Sequence, residues 1–286
     1  MSRPTPEKLA DDVVADIARN LRVDILTMLE KAGSGHPGGS LSAIDIILTL
    51  YSGELHYDAN NPKWDVRDRF VLSKGHGVPA LYAVMAEKGF FAKEDLMTLR
   101  EIGSPLQGHP ANALLPGIEA STGSLGQGLS VAQGIAMAGQ MAGSKEDPAW
   151  RTYCVLGDGE IQEGQVWEVA MSAPHLGVTN LVAILDWNKG QIDGAVEDVM
   201  PIGPIRTRWE AFGWNVVEVN GHDIADIRKG LDAARACTDK PTFIIADTVK
   251  GKGVSYMEEN LLGWHGATPN KEQLEQAVAE LKGGAQ

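Results

Sequence analysis

The second half of the chain alternates between short, almost wholly apolar runs and amphipathic stretches, and few folds accept that pattern. Residues 152–157 (TYCVLG), 181–188 (LVAILDWN), 215–220 and 241–248 (PTFIIADT) predict strands. Residues 163–176 and 224–237 predict helices between them. A strand with no alternation of apolar and polar residues is buried on both faces, which requires a parallel sheet with helices on each side. The expected fold class is therefore α/β, a doubly wound, mostly parallel sheet with helices on both faces.

The first half fits the same architecture. Leu9, Val13, Ile17, Leu21, Ile25 and Leu29 recur every four residues and predict an amphipathic helix. Pro4 and Thr5 mark its expected start, and Gly33 and Gly35 its end. Further helices are expected over 43–50 and 81–88, with a short strand over 69–73. Residues 89–122 read as irregular. Residues 123–143 read as a helix whose glycines, each weakening a free helix by roughly 1 kcal/mol, need a close neighbour to justify them. With 286 residues and 43% hydrophobic content, the chain can bury a core as one domain over 1–286, with a helical tail from about 270.

Charge and cysteine content exclude other classes. Asp and Glu outnumber Lys and Arg 38 to 25, a formal charge of −13, which argues against a nucleic-acid partner. An anionic ligand would instead need a local cluster of His, Lys and backbone N–H groups. Cys154 and Cys237 have neither zinc nor disulfide spacing. The N-terminal stretch lacks an apolar signal core, and the apolar run 41–50 is too short to span a bilayer. The expectation is a cytoplasmic protein with no membrane partner.

One constellation carries chemistry. Gly157-Asp158-Gly159 follows a buried strand, and Asn188 closes the next one 30 residues later. Carboxyl ends of adjacent parallel strands share a crevice in which ligands bind. A carboxylate and an amide oxygen there are hard donors suited to Mg2+ or Ca2+ rather than zinc. The flanking glycines let the main chain approach a diphosphate. No P-loop is present, and no G-x-G-x-x-G follows the first strand, so nucleotide-binding readings lose ground.

The histidines point the same way. Four of the seven, His36, His76, His109 and His265, lie in Gly or Pro contexts (SGHPG, KGHG, QGHP, GWHG). A histidine between glycines on an irregular segment is poorly placed for core packing and well placed to meet a ligand. Together they predict a polar sugar-phosphate pocket with imidazoles as proton carriers. His56, His175 and His222 lack such contexts and read as structural.

These segments, in this order, resemble the transketolase family. The match runs through SGHPGGS (34–40), VLSKGHG (71–77), QGHPAN (107–112) and STGSLGQGLS (121–130). It continues through GDGEIQEGQVWEVA (157–170), VAILDWNKGQIDG (182–194) and VKGKGVSYMEENLLGWHG (249–266). The resemblance implies thiamine diphosphate as cofactor with Mg2+, or Ca2+ or Mn2+, held by Asp158, the Asn188 side chain and the main-chain oxygen of Gly190. It implies that Gly159, Asn188 and Lys250 meet the diphosphate. Gly123, Ser124 and Leu125 would lie along the thiamine, and His76 and His265 would flank it. His36 and His109 would bind sugar hydroxyls and move protons. Glu163 and Glu168 would lie at a subunit contact. Gly39 stands where some relatives carry a serine, so a side-chain contact is missing there.

The resemblance also implies what this chain would need from elsewhere. Full transketolases are about twice this length and carry a second, pyrimidine-binding domain whose carboxylate activates the cofactor. The polar segment 271–286 reads as a natural finish. The expectation is a split enzyme in which this chain is the N-terminal subunit, with α2β2 as the simplest closed assembly. Its reaction would move a two-carbon ketol unit from a ketose phosphate to an aldose phosphate. Alternatives are a split transketolase for a branched pentulose or a sulfosugar, the α subunit of a 2-oxoacid dehydrogenase, a deoxyxylulose phosphate synthase, and a non-catalytic regulatory subunit.

Overall fold

The computed structural model describes residues 8–283. Pro4 and Thr5, the expected start of the first helix, lie outside that range, as do residues 284–286. Helix α1 (Asp11–Ala32) ends where expected, with Gly33 in the left-handed conformation at its C-terminus. Its buried stripe differs from the strict four-residue repeat. Val13 is 44% exposed, while Val14 and Ala18 are fully buried. A helix turns every 3.6 residues, so a period of four drifts off the face it starts on.

Helix α2 (Pro37–Tyr51) begins six residues before the expected position, with Pro37 in its first turn, and every residue in it is buried. Strand β1 (Arg69–Leu72) leads through a single 3-10 turn into α3 (Val78–Glu87). A second 3-10 turn at Lys93–Thr98 is the main regular feature of the irregular stretch before α4 (Gln127–Ala142). Strand β2 (Thr152–Gly157), helix α5 (Gly164–Leu176) and strand β3 (Leu181–Trp187) follow. Then come the short helices α6 (Val196–Val199) and α7 (Ile205–Ala211), which the apolar pattern does not announce. Strand β4 (Asn215–Asn220), helix α8 (Ile224–Ala236) and strand β5 (Thr242–Asp247) complete the sheet. Helices α9 (Ser255–Glu258) and α10 (Lys271–Gly283) lie after it.

The five strands run in the order β1-β2-β3-β5-β4, and all four pairings are parallel. Both faces are covered by apolar clusters, as the unalternating strands β2, β3 and β5 require. Tyr153, Val155, Val182 and Ile184 point toward α1, α2, α3 and α8. Cys154, Leu156, Ala183 and Leu185 point toward α4, α5 and α7, where Trp209 stacks on Phe243 with ring centroids 3.7 Å apart.

Chain direction explains the two faces. From β1 to β4 the chain steps one way across the sheet, then returns from β4 to β5. Right-handed crossovers put helices of opposite steps on opposite faces. The switch of direction falls between β3 and β5, and in such sheets ligands bind outside the carboxyl ends of the strands. Among the described residues no helix is long and apolar enough to cross a membrane.

Candidate active site

A cavity of about 360 Å³ opens over the carboxyl ends of β1, β2, β3 and β5. Gly157 pairs with Asp186 across β2 and β3, so Asp158 and Asn188 both lie just beyond the tips of neighbouring strands. Asn188 stands one residue past β3 rather than inside it. Both side chains line the cavity, with Gly159 and Gly190.

Asp158 is 3% exposed, and burial, followed by the negative charge of Asp186, pushes its carboxyl up to about 6. One carboxylate oxygen accepts the Gly159 N–H at 2.8 Å. The other, Oδ2, is buried with no hydrogen-bond partner. An unpartnered buried carboxylate oxygen is costly unless a cation or donor meets it. The turn after β3 supplies further oxygens. Lys189 has φ +68°, an uncommon conformation for a residue with a side chain, and the turn it makes presents Gly190 to the cavity. Asn188 Oδ1 accepts the Gly190 N–H at 3.2 Å. No cluster of three or more His, Cys, Asp or Glu side chains with metal-holding geometry occurs among the described residues. A cation here would thus rely on one carboxylate, one amide oxygen and a main-chain carbonyl. That donor set is hard, as Mg2+ prefers.

The four Gly-flanked histidines converge on the same cavity. The His36 ring centroid lies 5.2 Å from His76, 5.4 Å from His265 and 6.4 Å from His109. His76 and His265 are 5.3 Å apart. Burial, then neighbouring positive charge, lowers all four; His36 and His265 fall to about 4. At neutral pH they are neutral, each with one donor and one acceptor nitrogen. His36 Nδ1 is buried without a partner.

Close backbone approach brings them together. A Cβ on Gly75 would come within 2.7 Å of the Gly123 nitrogen, so only glycine lets that segment pass beside His76. Gly123 itself has φ +144° and packs under the His109 ring. Gly123 and Leu125 line the cavity, whereas Ser124 is exposed beside it. Lys250 is 3% exposed; its Nζ lies 3.4 Å from the Gly190 oxygen and 3.2 Å from His265 Nδ1. Burial lowers its ammonium to about 8. Glu163, at the cavity rim, and Glu168 are both exposed at the start of α5.

Sequence reasoning assigned no role to three buried charges beneath the cavity. Lys74, 1% exposed, donates to Asp186 at 2.5 Å and to the Gly39 oxygen at 2.9 Å. Burial alone would raise the Asp186 carboxyl, but Lys74, Ser42 and Thr248 outweigh it and hold it low. A Cβ on Gly39 would stand 3.2 Å from Lys74 Nζ, so its glycine leaves room for that ammonium. Glu160 accepts from Ser73 Oγ, and at 2.9 Å each from the N–H groups of Gly126 and Gly157. The motif VLSKGHG contains Lys74, but its partner lies 112 residues away.

Comparison with known proteins identifies the family. Residues 10–283 match the family described as transketolase, thiamine diphosphate binding domain. The chain is 45% identical over 260 residues to one subunit of the apulose-4-phosphate transketolase of Phocaeicola vulgatus, covering 91% of this chain and 90% of that one. It is 42% identical over 269 residues to 6-deoxy-6-sulfo-D-fructose transketolase subunit SqwG of a Clostridium species, covering 94% of each. The transketolase of Campylobacter jejuni superposes with a TM-score of 0.88 at 34% identity. That superposition covers 96% of this chain but 43% of the longer protein. With its fold and nearly its whole length matched, the chain belongs to the transketolase family of transferases and carries that family's thiamine diphosphate binding domain.

Proposed function

We propose that the chain is the N-terminal, diphosphate-binding subunit of a split transketolase, acting as one domain in the cytoplasm. It transfers a two-carbon ketol unit from a ketose phosphate to an aldose phosphate, with a second polypeptide that brings a pyrimidine-binding domain. An α2β2 assembly is the simplest closed arrangement. Support for a separate partner comes from the two relatives whose names make each of them one subunit of its enzyme. The chain matches both over 90% and more of their length.

Asp158, Asn188 Oδ1 and the Gly190 oxygen are the residues suited to hold Mg2+, Ca2+ or Mn2+. Gly159, Asn188 and Lys250 meet the diphosphate, and Gly123, Ser124 and Leu125 lie along the thiamine. Bound thiamine diphosphate supplies the nucleophilic carbon that accepts the two-carbon unit. His76 and His265 flank the cofactor and the reacting end of the sugar. His36 and His109 bind its hydroxyls and carry protons, and the unpartnered His36 Nδ1 is free to do so. Glu163 and Glu168 face the neighbouring subunit.

The observation that carries this reading is the partnerless, buried Asp158 oxygen beside Asn188 and Gly190 in a histidine-lined cavity. The test is a titration of the full chain with thiamine diphosphate and Mg2+, followed by activity with the reconstituted partner. The chain alone is expected to bind the cofactor more weakly than the assembly and to turn nothing over. Asp158→Ala is expected to abolish Mg2+-dependent binding; unchanged binding would return the chain to a regulatory role. The names of the two subunit relatives favour a second reading, a donor such as a branched pentulose phosphate or a sulfosugar. A donor–acceptor screen with the reconstituted pair separates it from the pentose phosphate reading.

A further inference from the structure

His222, read from sequence as structural, sits one hydrogen bond from the segment that carries Lys250. Its Nε2 accepts the Val249 N–H at 2.8 Å. An imidazole that accepts at Nε2 carries its proton on Nδ1 when neutral, and Nδ1 lies 2.7 Å from Asp45 Oδ2. Asp45 also takes both terminal nitrogens of Arg22, at 2.6 and 3.1 Å. Arg22 in turn donates from Nε to the Lys252 oxygen at 3.0 Å. Arg22 and Asp45 are 6% and 4% exposed.

The chain of contacts thus closes on itself. It starts at residue 249, passes through His222, Asp45 and Arg22, and returns at residue 252. α1 contributes Arg22, α2 contributes Asp45, and the turn after β4 contributes His222. The two backbone groups held are the N–H before Lys250 and the carbonyl two residues after it. A third bond, Gly251 N–H to the Gly38 oxygen at 3.1 Å, ties the turn to the start of α2. A lysine ammonium on a flexible four-carbon stem is a poor anchor unless its backbone is fixed. Here the fixing groups lie away from the cavity, and none of the three side chains lines it.

We propose that His222, Asp45 and Arg22 form a positioning clamp that holds the 249–252 turn so that Lys250 points at the diphosphate. His222 is its decisive member, because its bond is adjacent to Lys250. The proposal rests on the reading that Lys250 meets the cofactor's diphosphate, and the experiment separates the two.

The full chain is titrated with thiamine diphosphate at fixed Mg2+, following the summed emission of its seven tryptophans, among them Trp187 at the end of β3 and Trp264 next to His265. Four proteins are compared: wild type, His222→Phe, Lys250→Ala and the double variant. His222→Phe keeps the ring volume and removes both nitrogens. It is expected to weaken binding about tenfold, with little further loss when added to Lys250→Ala. His222→Gln keeps an acceptor near the Val249 N–H and is expected to recover most of the affinity. Hydrogen exchange supplies a readout independent of the cofactor. The Val249 amide is expected to lose protection in His222→Phe and to retain it in His222→Gln. If Lys250→Ala binds like wild type, the reading of Lys250 fails, and the clamp's role in binding fails with it. If Lys250→Ala weakens binding but the His222→Phe loss simply multiplies with it, or is absent, the clamp alone is overturned.

Discussion

A buried Lys74–Asp186 pair lies under the cavity, 1% and 0% exposed at the side chains. Breaking a buried pair by removing one member leaves the other charge uncompensated, a loss of about 3–5 kcal/mol. Lys74→Met is therefore expected to lower the urea midpoint sharply, and Lys74→Met with Asp186→Leu to recover part of it. The histidines give a pH dependence with a definite sign. His36 and His265 titrate near 6.5 when unfolded and about 4 when folded. Between those values the unfolded chain binds protons that the folded chain refuses. Their contribution is full above about 6.5 and lost as pH falls toward 4. Asp158, raised to about 6, works in the opposite direction on the acid side. Urea midpoints measured from pH 7 to 4.5 should fall less steeply in His36→Gln/His265→Gln than in wild type. Asp158 and the four histidines are legible in sequence because glycines flank them, and Asn188 because it closes an apolar strand. Lys74, Glu160 and His222 are not, because their partners lie 112, 87 and 177 residues away.

Helix α4 shows why glycine content alone misleads about an element. A Cβ on Gly128 would meet Ser73 Cα at 2.6 Å, whereas one on Gly134 would meet nothing within 4 Å. Alanine favours a helix interior over glycine by roughly 1 kcal/mol when space allows. Gly134→Ala should therefore raise the melting temperature of the isolated chain. Gly128→Ala should lower it, because β1 must move away. Most strands are legible as unbroken apolar runs, and α1 by its apolar period. The early start of α2 was hidden by Gly38 and Gly39. Those glycines let the Trp264 carbonyl, Lys250 and Lys74 pack against the helix start. The short α6 and α7 carry too few residues to show a period at all.

Across the whole molecule, the sheet gathers every proposed ligand at one end. Anything that binds only the folded chain stabilises it in proportion to the logarithm of its concentration. The melting temperature at fixed Mg2+ should rise with added thiamine diphosphate and respond less to thiamine monophosphate, which lacks the second phosphoryl group. An equal response to both would contradict a diphosphate anchor. The sheet's strand order, β1-β2-β3-β5-β4, was not legible, since it depends on which crossover skips a neighbour. That layout was nonetheless limited to a few choices by the parallel pattern.

The one-ended layout also leaves a blank end. The exposed stretch around Lys145 and Glu146 enters β2 from its amino-terminal side, a full strand length from the cavity. A dye or affinity handle inserted there would ride on the scaffold without brushing the chemistry, giving a place to tether the chain while the cavity stays open to whatever binds it.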